Sequence, residues 1–212
     1  MSCIGSSGGM PTAGGFRAAA KGGEVLVTLR NGEAARLVRV LDASDLGGDV
    51  ALGLDAFAPA FATCSEAELV HHFGADKDVR ALYCRLIDED DVVPFRAGHD
   101  IVWIRAMGTG AADGLMGYMT LKPVAHEEGS VFVSTLVISH EKQNQGVGRL
   151  LLNSIAEHWF PGTRGLRLEV RCINAGAIRF YERYGFEFAE EPGSDPRLRL
   201  MKKKVGLRVT GK

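Results

Sequence analysis

A glycine-containing loop stands directly after an apolar strand and directly before a helix. It reads Gln143-Asn144-Gln145-Gly146-Val147-Gly148. Glycines let backbone N–H groups approach an anion, and a helix N-terminus adds roughly half a positive charge with several unpaired donors. The pattern therefore indicates a cradle for a pyrophosphate, although a Gly-x-Gly turn also serves as a plain tight connection between strand and helix.

Two other nucleotide-binding loops are excluded by the residues that follow. A Walker loop needs Gly-Lys-Ser/Thr, whereas Gly148 is followed by Arg149 and Leu150, so no hydroxyl is available for magnesium. A dinucleotide fingerprint needs a third glycine where Leu151 stands. Both of these alternatives fail.

This loop and a downstream stretch resemble the acetyl-CoA signature of the GNAT superfamily of N-acetyltransferases. Gln143 to Gly148 matches the half written Q/R-x-x-G-x-G/A, with Asn144 at a position that is often glycine. From Leu168 to Phe186 the chain reads L-E-V-R-x-x-N-x-x-A-I-x-x-Y-E-x-x-G-F. That stretch is similar to the subgroup containing the bacterial ribosomal-protein N-terminal alanine acetyltransferase.

The resemblance implies an α/β fold (α+β in some schemes) of three layers, with a central mixed, mostly antiparallel sheet and helices on both faces. It implies acetyl-CoA as co-substrate, with its pantetheine arm bound like an added strand by the backbone of Leu136, Val137 and Ile138. Asn174 would contact it near the thioester. The pyrophosphate would be held by Gln143, Asn144, Gln145, Gly146, Val147, Gly148 and Arg149.

Two titrating groups would carry the chemistry. By resemblance, Glu169 matches the general base and could act directly or through a water. Tyr181 would stand beside the sulfur and, with an unperturbed pKa near ~10, could protonate the departing thiolate. Each has a structural alternative: Glu169 could pair with Arg167 or Arg171, and Tyr181 could be an aromatic core residue.

No metal site is predicted. His140-Glu141 opens like a metalloprotease helix, but Asn144 stands where the second histidine is needed. His71-His72 lies in a helical stretch without carboxylates at metal spacing, which favours surface or core histidines. Cys172, without a placed histidine, is expected to be a small apolar strand residue.

The elements that must position these residues follow from periodicity and turns. Strands at Glu24 to Leu29 and Ala34 to Leu41 flank Asn31-Gly32 and predict a hairpin. Further strands are predicted at Ile101 to Met107, Leu115 to Pro123, Ser130 to Ile138, Leu166 to Cys172 and Leu198 to Val205. Strand, loop, helix, strand in the second half predicts one parallel crossover.

The helices are predicted at four places. Asp42 to Leu86 has helical spacing in two pieces, the second capped by Ser65. Gly148 to Phe160 and Ala175 to Tyr184 follow in the second half, the latter ending at Gly185. Asp88 to Asp91 with Pro94 is expected to form an acidic, helix-breaking loop, either solvated or attractive to a cationic amine.

Composition fits one globular protein, since 46% of residues are hydrophobic and the formal net charge is −1. We expect a flexible leader at 1–23, a single domain at 24–206 and a basic tail at 207–212. No apolar run is long enough to cross a membrane and no feature beyond the tail points to nucleic acid. Scattered cysteines favour the cytoplasm, and import into an organelle through a signal in residues 1–23 is the alternative.

The acceptor is poorly constrained, because the first half of the chain matches no particular acetyltransferase. A primary amine is expected, with a protein N-terminus or lysine ahead of a small molecule. The alternatives are a small-molecule amine acetyltransferase, a catalytically silent acyl-CoA-binding module on the same fold, and an interaction protein that uses its basic tail. The sequence does not separate a monomer from a homodimer.

Overall fold

The computed structural model describes residues 23–42, 44, 46–74, 78–109 and 114–206. The predicted leader, apart from Gly23, and the predicted tail at 207–212 lie outside the described residues. The strands are β1 Glu24–Thr28, β2 Ala34–Val40, β3 Val102–Gly108, β4 Leu115–Pro123, β5 Ser130–Ile138, β6 Gly165–Arg171, β7 Glu187–Phe188 and β8 Leu198–Lys204. The helices are α1 Gly47–Phe57, α2 Glu66–Phe73, α3 Val79–Ile87, α4 Val93–Arg96, α5 Val147–Ser154 and α6 Ala175–Tyr184.

The eight strands form one mixed sheet in the order β1-β2-β3-β4-β5-β6-β8-β7. Every neighbouring pair is antiparallel except β5 and β6, which run parallel. The parallel pair is joined through α5 and its π-helical continuation, Ile155–Trp159. The predicted mixed, mostly antiparallel sheet with one parallel crossover is confirmed.

Helices cover both faces of the sheet. Successive strand residues point to opposite faces, and the neighbours Trp103 and Ile104 of β3 belong to different hydrophobic clusters. The cluster of Trp103 also contains Tyr83 of α3, whereas the cluster of Ile104 also contains Leu151 of α5. Tyr181 of α6 belongs to the same cluster as Ile104 and Leu151. The expected three-layer arrangement is therefore confirmed.

Two expectations for the first half were wrong. The second helical piece is two helices, α2 and α3, because Gly74 ends α2 with φ 89°. Ser65 caps α2 as predicted, accepting from the backbone N–H of Glu68. The acidic run forms a π-helical turn, Asp88–Val92, that leads directly into α4. Pro94 is tolerated there because it occupies the first turn of α4.

The acidic turn is helical because one of its carboxylates is buried against the sheet. Asp91 is fully buried and accepts hydrogen bonds from the hydroxyls of Thr120, at 2.9 Å, and Thr135, at 2.7 Å. Lys122 pairs with the same carboxylate at 3.1 Å. A buried charge held this way fixes the turn on β4 and β5.

Candidate functional site

The parallel strands β5 and β6 separate partway along their length. Their pairing covers four residue pairs, from Ser130 with Gly165 to Val133 with Leu168. β5 then continues to Ile138 while paired with β4, after a register shift beyond Thr120. Among the described residues, the backbone edge of residues 134–138 that faces β6 therefore has no strand partner. The predicted Leu136 to Ile138 segment lies on this edge.

The loop after β5 ends in a left-handed glycine. Gly146 has φ 94° and caps α5, and Asn144 also has a positive φ of 62°. The first hydrogen bond of the helix runs from Leu150 N–H to Gly146 C=O, at 2.9 Å. The N–H groups of the first turn thus precede the helical ladder and are free for an anion.

The two glutamines of the loop hold its shape. The side-chain amide of Gln143 donates to the carbonyl of Ile138 at 3.5 Å, a contact at the limit of hydrogen-bonding distance. Gln145 donates to the carbonyl of Glu141 at 2.7 Å. These contacts tie the loop to the end of β5 and to its own first turn, so the start of α5 is placed beside the separated strands.

Gly148 is needed for packing. A Cβ at this position would lie 3.0 Å from Cζ of Phe180 and 3.6 Å from Cγ1 of Ile138. The glycine lets α5 lie close to both α6 and the end of β5. Its neighbour Val147 is buried in the core, whereas Arg149 is exposed.

Asn174 begins α6 close to the end of β6. Its side-chain oxygen accepts from Ala177 N–H at 3.1 Å, and its own N–H donates to the carbonyl of Arg171 at 2.9 Å. This is the capping arrangement expected of asparagine at a helix start. It leaves the side-chain NH₂ group as the donor that asparagine can offer to a ligand.

Tyr181 lies on the inner side of α6 and is 9% exposed. Its ring meets those of Phe180 and Phe186 edge to face, with centroids 5.3 and 5.6 Å away. Burial raises the pKa of its phenol well above the ordinary value, so the group keeps its proton at neutral pH. Tyr181 is thus a core aromatic and also a protonated hydroxyl.

Glu169 is held by a serine from a distant loop. The carboxylate accepts from the backbone N–H and from the hydroxyl of Ser194, both at 2.5 Å. The alternative of an ion pair with a neighbouring arginine is wrong. Arg167 instead pairs with Glu127, at 2.5 Å, and Arg171 donates to the carbonyl of His72, at 3.1 Å. Sequence reasoning missed Ser194, which lies 25 positions away and has no motif.

The acidic π-helical turn lies near Glu169, with Lys122 beside it. Burial raises the pKa of Asp90, Lys122 opposes that rise, and the charges of Asp91 and Glu169 add to it. The acidic π-helical turn and Glu169 thus lie close enough to influence each other.

The C-terminal end of α2 covers the end of β6. The guanidinium carbon of Arg171 lies 4.9 Å from the ring centroid of Phe73, in addition to its bond with His72. Burial lowers the pKa of Arg171, and the charge of Arg197 lowers it further. His72 itself is buried, which matches the core placement, one of the two that were expected for this histidine pair.

Cys172 does not lie in a strand. β6 ends at Arg171, and Cys172 follows in an exposed turn, so the expectation of a strand residue was wrong. Its N–H donates to the carbonyl of Arg197 at 3.0 Å. Over the described ranges, no group of three or more His, Cys, Asp and Glu side chains is arranged to hold a metal ion. No helix in those ranges is long and apolar enough to cross a membrane.

Part of the chain matches a known domain family. Residues 98–188 match the model described as "Acetyltransferase (GNAT) domain". The chain is 35% identical over 78 residues to the [ribosomal protein bS18]-alanine N-acetyltransferase of Escherichia coli strain K12, and equally to that of Shigella flexneri. The match covers 36% of this chain and 51% of each relative, so the chain spans about half the length of these curated relatives.

Two solved structures share the overall fold. The PaiA N-acetyltransferase of Thermoplasma acidophilum, in complex with coenzyme A, has a TM-score of 0.56 at 20% identity. The superposed part covers 80% of this chain and 99% of the PaiA chain. A putative acetyltransferase of the GNAT family from Desulfovibrio desulfuricans has a TM-score of 0.55 at 18% identity, covering 81% and 99%. The resemblance inferred from the two sequence motifs is confirmed.

Proposed function

We propose that this chain, whose residues 98–188 match a GNAT acetyltransferase domain model, transfers an acetyl group from acetyl-CoA to a primary amine. The gap between β5 and β6, which opens beside the N-terminus of α5, is the observation that supports this most. A free strand edge offers backbone hydrogen bonds to an amide-containing arm. The helix start next to it offers a positive end to a pyrophosphate.

The residues present fit acetyl-CoA. Leu136, Val137 and Ile138 would bind the pantetheine arm through their backbone, and Gln143 to Arg149 would hold the pyrophosphate at the start of α5. Asn174 would donate its side-chain NH₂ group near the thioester. When bound, the co-substrate supplies an acetyl group activated by its bond to sulfur.

Glu169 and Tyr181 would manage the protons of a direct transfer in a ternary complex. Glu169 accepts a proton from the incoming ammonium, directly or through a water, which frees the nitrogen lone pair. The nitrogen forms a bond to the acetyl carbon as the carbon–sulfur bond breaks, and it then releases its second proton to water, which leaves a neutral amide. Tyr181, which is protonated at neutral pH, donates a proton to the departing thiolate and takes a new proton from solvent. Two hydrogen bonds from Ser194 would keep Glu169 in one orientation.

For the acceptor we propose a protein N-terminus or a lysine, ahead of a small-molecule amine. The relatives that match over 78 residues are named as acetyltransferases of a ribosomal-protein alanine. The carboxylates of Asp90 and Glu169, which lie close enough for their charges to interact, could pair with either kind of ammonium group. We propose the cytoplasm as the compartment, since Cys64, Cys84 and Cys172 are free thiols.

Thermal unfolding with and without acetyl-CoA tests the first half of the proposal. At about 100 times the dissociation constant, the ligand adds roughly 2.7 kcal/mol of stability, which is several degrees for a chain of this size. If the folded protein shows no shift in melting temperature, the proposal that it binds acetyl-CoA is refuted. Desulfo-CoA serves as a control that binds without a transferable group.

Thiol release from acetyl-CoA tests the second half. We expect release with N-terminal or lysine-containing peptides to exceed release with polyamines or aminoglycosides, and the reverse order would favour a small-molecule enzyme. Glu169→Gln should lower turnover most at neutral pH, where the amine is protonated. Binding without release for any amine would favour the silent acyl-CoA-binding module.

A further inference from the structure

The turn between β1 and β2 docks on the loop that precedes α5. The turn is closed by a hydrogen bond from Leu29 N–H to Glu33 C=O, at 2.8 Å, and by Glu33 N–H donating to the side-chain oxygen of Asn31, at 3.0 Å. Glu33 then pairs with Lys142 at 3.0 Å. Both side chains of this pair are only about a third exposed, so the hairpin is fixed to the loop from the first strand of the sheet.

This docking brings Arg30 to the start of α5. If Gly146 carried a Cβ, that atom would lie 3.7 Å from Cβ of Arg30 and 4.0 Å from its backbone nitrogen. Gly146 is the residue that caps α5 and precedes its free N–H groups. Arg30 is exposed, and within the described part of the chain it forms no ion pair with a carboxylate.

A second arginine lies at the same helix start. Arg149 is in the first turn of α5 and is close enough to Tyr184 of α6 and Lys203 of β8 for its charge to act on both. Arg30 approaches from the β1–β2 side. Two arginines, Arg30 and Arg149, thus lie at the start of α5, and only Arg149 belongs to the loop motif.

We propose that Arg30 binds a phosphate group of acetyl-CoA and that the β1–β2 turn forms one wall of the cofactor site. This inference rests on the proposed function. The guanidinium presents paired N–H donors that match phosphate oxygens, and the Glu33–Lys142 ion pair holds the turn in place. Arg30 contributes to affinity and has no part in the acetyl transfer itself.

The test compares CoA affinity by isothermal titration calorimetry for the wild type, Arg30→Ala, Arg30→Lys and Arg80→Ala. Arg80 is an exposed arginine of α3 that pairs with Asp55 at 3.5 Å, so its loss removes the same charge away from the site. We expect Arg30→Ala to weaken binding about 5- to 20-fold at low salt and Arg30→Lys to weaken it less. Raising the salt concentration to about 0.5 M should reduce the difference in CoA affinity between the wild type and Arg30→Ala.

Steady-state kinetics separate this role from a structural one. Arg30→Ala should raise the KM for acetyl-CoA while kcat at saturation stays within about twofold of the wild type, and its melting temperature without ligand should match that of Arg80→Ala. Binding by Arg30→Ala equal to the wild type, or an equal loss in Arg80→Ala, would overturn the proposal. A wild-type protein that does not bind CoA would instead overturn the proposed function on which it rests.

Discussion

Replacing Gly146 by alanine isolates the backbone conformation at the start of α5. The residue has φ 94°, and the nearest atom to an added Cβ is 3.7 Å away, an ordinary contact distance. An alanine therefore fits the space, and what it disturbs is the left-handed backbone. Holding an L-residue in that region costs about 1–2 kcal/mol.

The expected result has two parts. The free energy of unfolding should fall by about 1 kcal/mol, because relaxation of the backbone recovers part of the strain. That relaxation turns the first N–H groups of α5 away from the anion, and we expect the dissociation constant for acetyl-CoA to rise about tenfold, or ~1.4 kcal/mol. Urea unfolding measures the first quantity and isothermal titration calorimetry measures the second.

Gly162 offers a matched control. It has φ 88° with no atom within 4 Å of an added Cβ, and it follows the π-helical continuation of α5, away from the helix start. Gly162→Ala should lose similar stability and keep its affinity for acetyl-CoA. If Gly146→Ala binds the ligand as tightly as Gly162→Ala does, the start of α5 does not hold the pyrophosphate and the cradle assignment is refuted.

Three further changes test other parts of the site. Tyr181→Phe should lower kcat and leave acetyl-CoA affinity nearly unchanged, since the lost hydroxyl acts on the thiolate; unchanged turnover in steady-state kinetics would remove it from the mechanism. Gly117→Ala places a Cβ 2.5 Å from the carbonyl oxygen of Val137, so β5 must shift. We expect the free energy of unfolding, measured in urea, to fall by about 1–3 kcal/mol and acetyl-CoA to bind more weakly. A wild-type affinity for acetyl-CoA would contradict the role of the β5 edge. Burial lowers the pKa of His72, so the unfolded chain binds the proton more readily and the free energy of unfolding should fall as pH drops below ~6.5. His72→Gln should flatten that dependence between pH 7.5 and 5.5, and an equally steep decline in the variant would assign the effect to other groups.

The second half of the fold could be predicted because its signals are local. The predicted helix at Ala175 to Tyr184 matches α6, where Asn174 caps one end and Gly185, with φ 94°, ends the other. Predictions for the first half were weaker. The Asp88–Val92 turn was predicted as a loop because four consecutive acidic residues suggest solvent exposure. Nothing in the run reveals that the hydroxyls of Thr120 and Thr135 donate hydrogen bonds to one of its carboxylates.

The sequence by itself determined the family resemblance and marked Gln143 to Gly148 as the candidate cradle and Glu169 and Tyr181 as the candidate pair, because spacing within a strand, loop or helix is written in neighbouring residues. Only the tertiary structure decided which distant groups meet them. Ser194 reaches Glu169 across 25 positions, and Arg30 reaches Gly146 from the other end of the chain. Such contacts depend on how β1, β6 and the loop before β8 are placed in one sheet, and chain-distant contacts of this kind leave no periodic or motif signal in the sequence.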